Sequence, residues 1–505
     1  MTGADNTIPV ASDERPSLPG HAASVVGLYL GLILLVFGLR IVVISFAGSI
    51  TPYMDEWGSD ITRLAVPWAT GRLRVADLFL YCNEHLVFFT KLLTILSVRL
   101  VGYYDPITKM IVNAALSAGT FALCLHWLTK CLGAPWRFLA VAVAGLFMAV
   151  PFGLENILMG FNSHFYFIIL FAVSGLWFLA LNRAWSARWL IGLVLSFCSF
   201  LCMASGALTF AAAAGVAMLQ IGCRQRAGVR ELFGLAALLA ITVGLIASVP
   251  PNHAADPIHA HSLDQFLFAL VFQIASWPRR TFLGPLIYLP SLVFLWRTLR
   301  DRASIADARW FNIAVLGWVA SQYSALAYGR AGYLLPSRYL ETVQLGVAAS
   351  IVGAAWLASR MSRETKPFAR VAMLAWLGML TIGTALQERH DVSTWLVPRR
   401  SQGANWTLEV QDYYRTHDYR ILAGKTFPDI AYTEAAQLQD LLDDKDVKAL
   451  LSPQLRGSPL PANAVEAVKA AILSHGWAMA LLGLVLTLVA ARMGWNRTRS
   501  TEELR

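Results

Sequence analysis

Ser24-Val-Val-Gly-Leu-Tyr-Leu-Gly-Leu-Ile-Leu-Leu-Val-Phe-Gly-Leu-Arg-Ile-Val-Val-Ile-Ser-Phe46 is the stretch that decides the fold class. A helix needs about 20 mostly apolar residues to cross the hydrocarbon core of a bilayer, and this run supplies them. It is too long for the core of a secretory signal and has no small-residue cleavage site behind it, so it reads as an anchor that stays. The segment ahead of it, 1–24, is comparatively polar and carries Asp5, Asp13, Glu14 and Arg15. Similar apolar runs recur along most of the 505 residues. Only 14% of residues are charged and 57% are hydrophobic, against roughly a quarter charged in a soluble domain. The mean hydropathy is +0.54. An all-α polytopic membrane protein follows, and a soluble enzyme is excluded.

The net charge of +10 would point to nucleic acid in a soluble protein. Here most Arg and Lys fall between apolar runs, where the positive-inside bias explains them, so no nucleic-acid partner is expected. Six cysteines are present. Only Cys82 lies away from the apolar runs, so no disulfide framework is implied.

The pattern predicts about twelve transmembrane helices, near 25–48, 107–129, 137–152, 164–182, 189–204, 207–222, 231–249, 281–298, 309–327, 339–359, 370–387 and 471–491. Short basic connectors set the orientation: Arg183 with Arg188; Arg224, Arg226 and Arg230; Arg297, Arg300, Arg302 and Arg309; Arg360, Arg363, Lys366 and Arg370; and the tail arginines Arg492, Arg497 and Arg499. All belong on the cytoplasmic side. Residues 189–222 run apolar between two such clusters, so the chain must cross twice, and Ser205-Gly206 is the natural outer turn. Residues 87–104 are interrupted by Lys91 and Arg99 and would break the parity. They read as an interfacial helix of the first outer loop, as does the short 266–277 stretch.

Four regions result: a cytoplasmic tail, 1–24; a transmembrane module, 25–387, with an outer loop at 49–106; a small extracytoplasmic C-terminal domain, 388–470; and a last transmembrane helix with a cytoplasmic tail, 471–505. Outer pieces at 49–106, 250–280 and 388–470 hold most of the non-membrane sequence. Within the last, Trp406–Leu422 and Thr433–Leu451 look helical.

The first outer loop opens Thr51-Pro-Tyr-Met-Asp-Glu-Trp57. Carboxylates so near the hydrocarbon are disfavoured unless paired, hydrated or working. Asp55 is suited to act as a general base, with Glu56 tuning it through like charge; an ordinary solvated loop is the competing explanation. Arg63, Arg72 and Arg74 run against the positive-inside bias and invite an anion, either a substrate phosphate or lipid headgroups. Asn83, Glu84 and His85 supply a donor, an acid and a titratable ring. Glu155, Asn156, Asn162 and His164 interrupt membrane hydropathy and either line a cavity or cap two spans. Arg330 and Arg338 with Tyr339 sit at outer span ends, and Arg338 starts a helix, where amides favour an anion. Arg279 and Arg280 read as snorkelling residues. His253, Asp256, His259 and His261 admit a divalent metal, but no HExxH or paired CxxC pattern specifies one. No nucleotide loop, Rossmann glycine pattern or serine elbow is present.

This order of parts resembles the GT-C class of integral-membrane glycosyltransferases: a first span, a long outer loop that opens on acidic residues and holds interfacial helices, many further spans, and a soluble segment near the C-terminus. The stretches Tyr81–His85, Glu155–Tyr166 and Ser337–Tyr339 are similar to segments of bacterial membrane proteins grouped with these enzymes. The resemblance implies a polyprenyl-phosphate-linked sugar donor, a cell-envelope acceptor, and an active site facing the outside of a bacterial inner membrane. It places the base at Asp55, with Glu56 as its neighbour, and implies inversion at the anomeric carbon. Two other functions compete. A transporter or flippase of lipid-linked saccharide predicts inverted repeats and matched helix breaks, of which only Ser205-Gly206 is visible. A polysaccharide polymerase or ligase would also use a large outer loop and outer arginines.

Overall fold

A computed structural model describes residues 19–278, 283–332, 335–362 and 366–503. Arg279, Arg280 and Arg363, and the side chain of Arg499, lie outside what it describes. The protein is an all-α polytopic membrane protein. Eight helices of the described residues are long and apolar enough to cross a membrane, from Ala22–Ala47 at the start to Gly476–Arg497 at the end. The expected spans near 137–152 and 189–204 appear as the shorter apolar helices Ala134–Ala149 and Ala187–Cys202. That near 281–298 is the still shorter Leu289–Arg300, preceded by a single turn at Gly284–Ile287.

The basic connectors meet at one end of the bundle. Arg226 ion-pairs with Glu231 at 2.7 Å and donates to the Leu179 and Ala180 carbonyls, which ties the 182–188 and 223–231 connectors together. Arg309, paired with Asp301 and Asp307, also covers the Trp356 ring. At the opposite end, Ala204 N–H donates to His85, Asn252 to Glu84 and Asn156 to the Arg338 carbonyl. The two-ended arrangement read from charge is therefore the arrangement of the connectors in space. The expected turn at Ser205-Gly206 is a 3-10 turn, Ala204–Ala207. A Cβ on Gly206 would collide with the Ser199 backbone, so only glycine permits the close return.

Inside the bundle, the first and last spans lie along one another at glycine contacts. A Cβ at Gly38 would meet Gly476 O at 2.8 Å, and one at Gly31 would meet Thr487 N at 2.6 Å. Small residues at such contacts let backbones approach where lipid supplies no hydrophobic drive. Arg40 and Glu341, both buried, pair at 3.2 Å, and the Asn156 amide donates to the second Glu341 oxygen at 2.7 Å.

The first loop follows Ala47 and folds as a π-helix, Glu56–Ala65, a short turn, Val66–Ala69, a 3-10 turn, Val75–Phe79, and the helix Phe88–Val101. That last helix has inverted amphipathy. Its inner face is polar: Thr90 bonds Ser163, Thr94 bonds Asp60, and the Lys91 ammonium caps the Leu78 and Leu80 carbonyls. Its outer face presents Leu92, Leu96 and Leu100. A helix with leucines outward and hydroxyls inward suits contact with lipid, as the interfacial expectation requires. Leu263–Ser276 stays at the same end of the bundle, with Gln273 donating to the Arg330 carbonyl.

The polar segment expected from residue 388 starts without a break. The helix begun at Lys366 passes through a π turn, Val392–Leu396, and continues as Val397–Thr416. Beyond it, Ala435–Asp443 and Lys445–Leu450 pack on the first loop. Ile430, Leu438, Leu442 and Leu451 share one buried core with Trp57, Ile61 and Tyr104. The Tyr104 N–H donates to the Leu450 carbonyl at 2.7 Å and Met54 N–H to the Ala431 carbonyl at 3.0 Å. Loop and segment share one buried core.

Candidate active site

The adjacent carboxylates part company at the start of the π-helix. Only one of the two faces inward. Glu56 does: it is fully buried, and its Oε2 accepts from the Tyr53 N–H at 3.1 Å while Oε1 has no partner among the described residues. Burial pushes its carboxyl up to about 7, Asp60 adds to the rise, and Lys109 opposes it. Asp55 faces the surface instead. Although open on one side, its carboxyl is crowded by protein, and that desolvation raises its pKa. Arg338 lowers it, and Asp60 and Glu84 raise it further. A carboxylate raised in this way lies nearer the pH at which a base works. Met54, immediately before it, holds φ +52, a costly conformation for a side chain of that kind, pinned by the bond to Ala431.

Below Asp55 lies a sealed polar cluster. Asp60 accepts from the Thr94 hydroxyl at 2.9 Å and the Tyr104 hydroxyl at 2.8 Å, and forms an ion pair with Lys109. Asp60, Thr94, Tyr104 and Lys109 are all buried. The sequence reading singled out none of the four. Lys109 was the available signal, because a lysine inside a span needs an acidic partner.

Around Asp55 the structure gathers several of the expected residues. Glu155 Oε2 takes the Ser337 hydroxyl at 2.8 Å and the Arg338 N–H at 3.1 Å, and Arg338 Nη1 lies 3.5 Å from Glu155 Oε1. The anion at this helix start is therefore Glu155 itself, which orients Arg338 while the guanidinium charge still reaches Asp55. Tyr339 packs edge-on against Phe165. Asn83 sits exposed at the tip of the Cys82–His85 turn with φ +52, a conformation asparagine tolerates. Burial pushes Glu84 up, but His85, the Asn252 amide and Arg330 together hold it below its ordinary value. His85 is pushed down by burial, with Glu84 opposing, and its Nδ1 accepts from Ala204 N–H, so the neutral ring carries its proton on Nε2. The Arg330 guanidinium, half-buried, bonds no side chain among the described residues.

Other expected residues lie apart. Arg72 is exposed and paired with Asp446, Arg74 is exposed and paired with Asp77, and Arg63 faces outward from the π-helix. Asn156 is buried and commits its amide to Glu341 and the Arg338 carbonyl. In the 250–262 loop, His253 and His259 both turn toward Asp256, but no group of three or more potential ligands is placed to hold a metal among the described residues.

The fold and the site define a polytopic helical membrane protein with carboxylates and arginines gathered at one end of its bundle. No family model and no curated protein matches the chain. Similar solved structures include the archaeal oligosaccharyltransferase AglB from Archaeoglobus fulgidus in complex with an inhibitory peptide and a dolichol-phosphate: 12% identity, 81% of this chain, 60% of that one, TM-score 0.44. The Archaeoglobus fulgidus oligosaccharyltransferase complex with Zn and sulfate matches at 15% identity, over 80% of this chain and 58% of that one, TM-score 0.41. ArnT from Cupriavidus metallidurans in the apo state matches at 17% identity, over 92% of this chain and 78% of that one, TM-score 0.40. The chain thus spans about three fifths of the length of the archaeal enzymes.

Proposed function

We propose that this protein is a glycosyltransferase of the GT-C kind, moving a sugar from a polyprenyl-phosphate carrier to a cell-envelope acceptor. On this reading the end of the bundle that holds Asp55 faces the outside of a bacterial inner membrane, and the basic connectors face the cytoplasm. The observation that carries it is Asp55: a surface-facing carboxylate held above its ordinary pKa, within reach of the Arg338 charge. The acceptor hydroxyl gives its proton to Asp55 as its oxygen attacks the anomeric carbon. The bond from that carbon to the phosphate oxygen breaks, and the configuration inverts. The electron pair leaves on a phosphate, which Arg338 and Arg330 stabilise, so no strong general acid is needed. Glu56, facing inward, holds the Tyr53–Glu56 turn that presents Asp55.

The test is reconstitution of the wild type and Asp55→Asn with radiolabelled polyprenyl-phosphate sugars and a cell-envelope extract. Transfer should fall by about 100-fold or more in the folded variant, the range of a lost general base. Equal transfer by both proteins would remove Asp55 from the reaction. Crossing of sugar-lipid through liposomes, with no transfer from any donor, would replace the enzyme by a transporter.

A further inference from the structure

Arg399 reaches the catalytic turn from the far end of the sequence. It lies on the Val397–Thr416 helix, with its guanidinium carbon 3.8 Å from the centroid of Tyr53 and 4.2 Å from that of Trp406. The two rings are themselves stacked at 5.5 Å, so they form a notch in which the planar cation rests. Tyr53 stands two residues before Asp55, in the turn that Met54 ties to Ala431. Arginine so placed ordinarily pairs with a carboxylate, because its five donors lose water on burial. Here none of them bonds an acceptor among the described residues, and Nη2 is fully buried without one. The residue as a whole is half-buried. Its neighbour Arg400 behaves differently: it is exposed and covers Phe46 at the end of the first span, as a residue reading lipid headgroups would.

We infer that Arg399, resting against the stacked rings of Tyr53 and Trp406, is an anion-binding subsite for a phosphate or carboxylate group of the acceptor, separate from the carrier phosphate at Arg338 and Arg330. This assignment to the acceptor rests on the transferase reading; the subsite itself rests on the notch and the unpaired cation. The aromatic rings support the guanidinium, whose N–H donors match the oxygens of a phosphate or carboxylate. The C-terminal segment then has a role beyond packing: it carries the residue that selects a charged acceptor and sets it beside Asp55.

Binding can be read without any transfer. The full-length protein in phosphatidylcholine nanodiscs is treated with phenylglyoxal, and adducts at Arg399, Arg400 and Arg338 are followed by peptide mass spectrometry. Inorganic phosphate, against chloride at equal ionic strength, should slow modification of Arg399 at least threefold and leave Arg400 unchanged. Farnesyl phosphate, the carrier mimic, should protect Arg338 and spare Arg399. Phosphate should also raise the melting temperature of the wild type, less that of Arg399→Lys, and not that of Arg399→Gln. An unreactive Arg399, a rate indifferent to phosphate, or protection by farnesyl phosphate alone overturns the subsite. So does protection that appears only when anionic phosphatidylglycerol is added, since the group would then read headgroups. If phosphate protects Arg399 while no donor supports transfer, the subsite stands and the transferase reading fails.

Discussion

Lys109 and Asp60, 49 residues apart in sequence, form an ion pair from which solvent is excluded, one residue from a span and the other from the loop above it. Neither charge is stable there alone. Removing one partner of a buried pair leaves the other uncompensated and costs about 3–5 kcal/mol, whereas replacing both is often close to neutral. Asp60→Asn and Lys109→Met should therefore each lower the melting temperature strongly, and the double variant should recover much of the loss. A double variant as unstable as the sum of the singles would mean that the two residues do not act as a pair.

Glu56 makes stability depend on pH. Its folded pKa of about 7 lies above the ordinary value of 4.5, so the folded protein holds a proton that the unfolded chain releases. The stabilising contribution is present below about pH 4.5 and is lost as pH rises through 7. A shift of this size corresponds to roughly 3 kcal/mol. Between pH 5 and 8 the wild type should lose stability relative to Glu56→Gln, whose uncharged amide keeps the shape of the acid. Parallel melting curves for the two proteins across that range would show that Glu56 titrates normally.

Hydropathy and charge made the helices, the two-ended connectors, the Ser205-Gly206 turn and the Asp55-Glu56 pair legible, because each is a local signal. The pairings were not. Arg40 and Lys109 are charges inside apolar runs, and nothing near them in sequence names Glu341 or Asp60 as their partners. Arg399 lies far along the chain in the polar segment, and only the fold brings it to Tyr53. The seat on the amides at Ser337–Tyr339 was expected for a substrate phosphate. Glu155 takes it, which a sequence 182 residues away does not announce.

That seat gives a kinetic prediction. Glu155 holds Arg338 by its backbone N–H and, more loosely, by its guanidinium, leaving donors for a phosphate. Charge-assisted contacts of this kind are worth about 1.5–3 kcal/mol, or roughly 10- to 100-fold in kcat/KM. Arg338→Lys should lose that much with the polyprenyl-phosphate donor, because an ammonium cannot reproduce the fork. Glu155→Gln should raise KM for the donor with a smaller change in kcat. Unchanged kinetics in Arg338→Lys would place the phosphate elsewhere.

The shared core between the first loop and the C-terminal segment predicts how that segment behaves alone. Leu438, Leu442 and Leu451 are each 1% exposed or less, and they pack in the core that contains Trp57, Ile61 and Tyr104. An isolated fragment of residues 398–470 keeps its charged surface but loses one wall of its core. Fully burying a leucine contributes about 1.5–3 kcal/mol, and a segment this short has little stability to spare. The fragment should show weak helicity by circular dichroism and poorly dispersed amide resonances. In the full chain, Trp57→Ala should expose the segment to limited proteolysis near Ala435, well before the spans are cut. A fragment that folds cooperatively on its own would restore the independent domain expected from polarity, and would leave Arg399 free to move relative to Asp55.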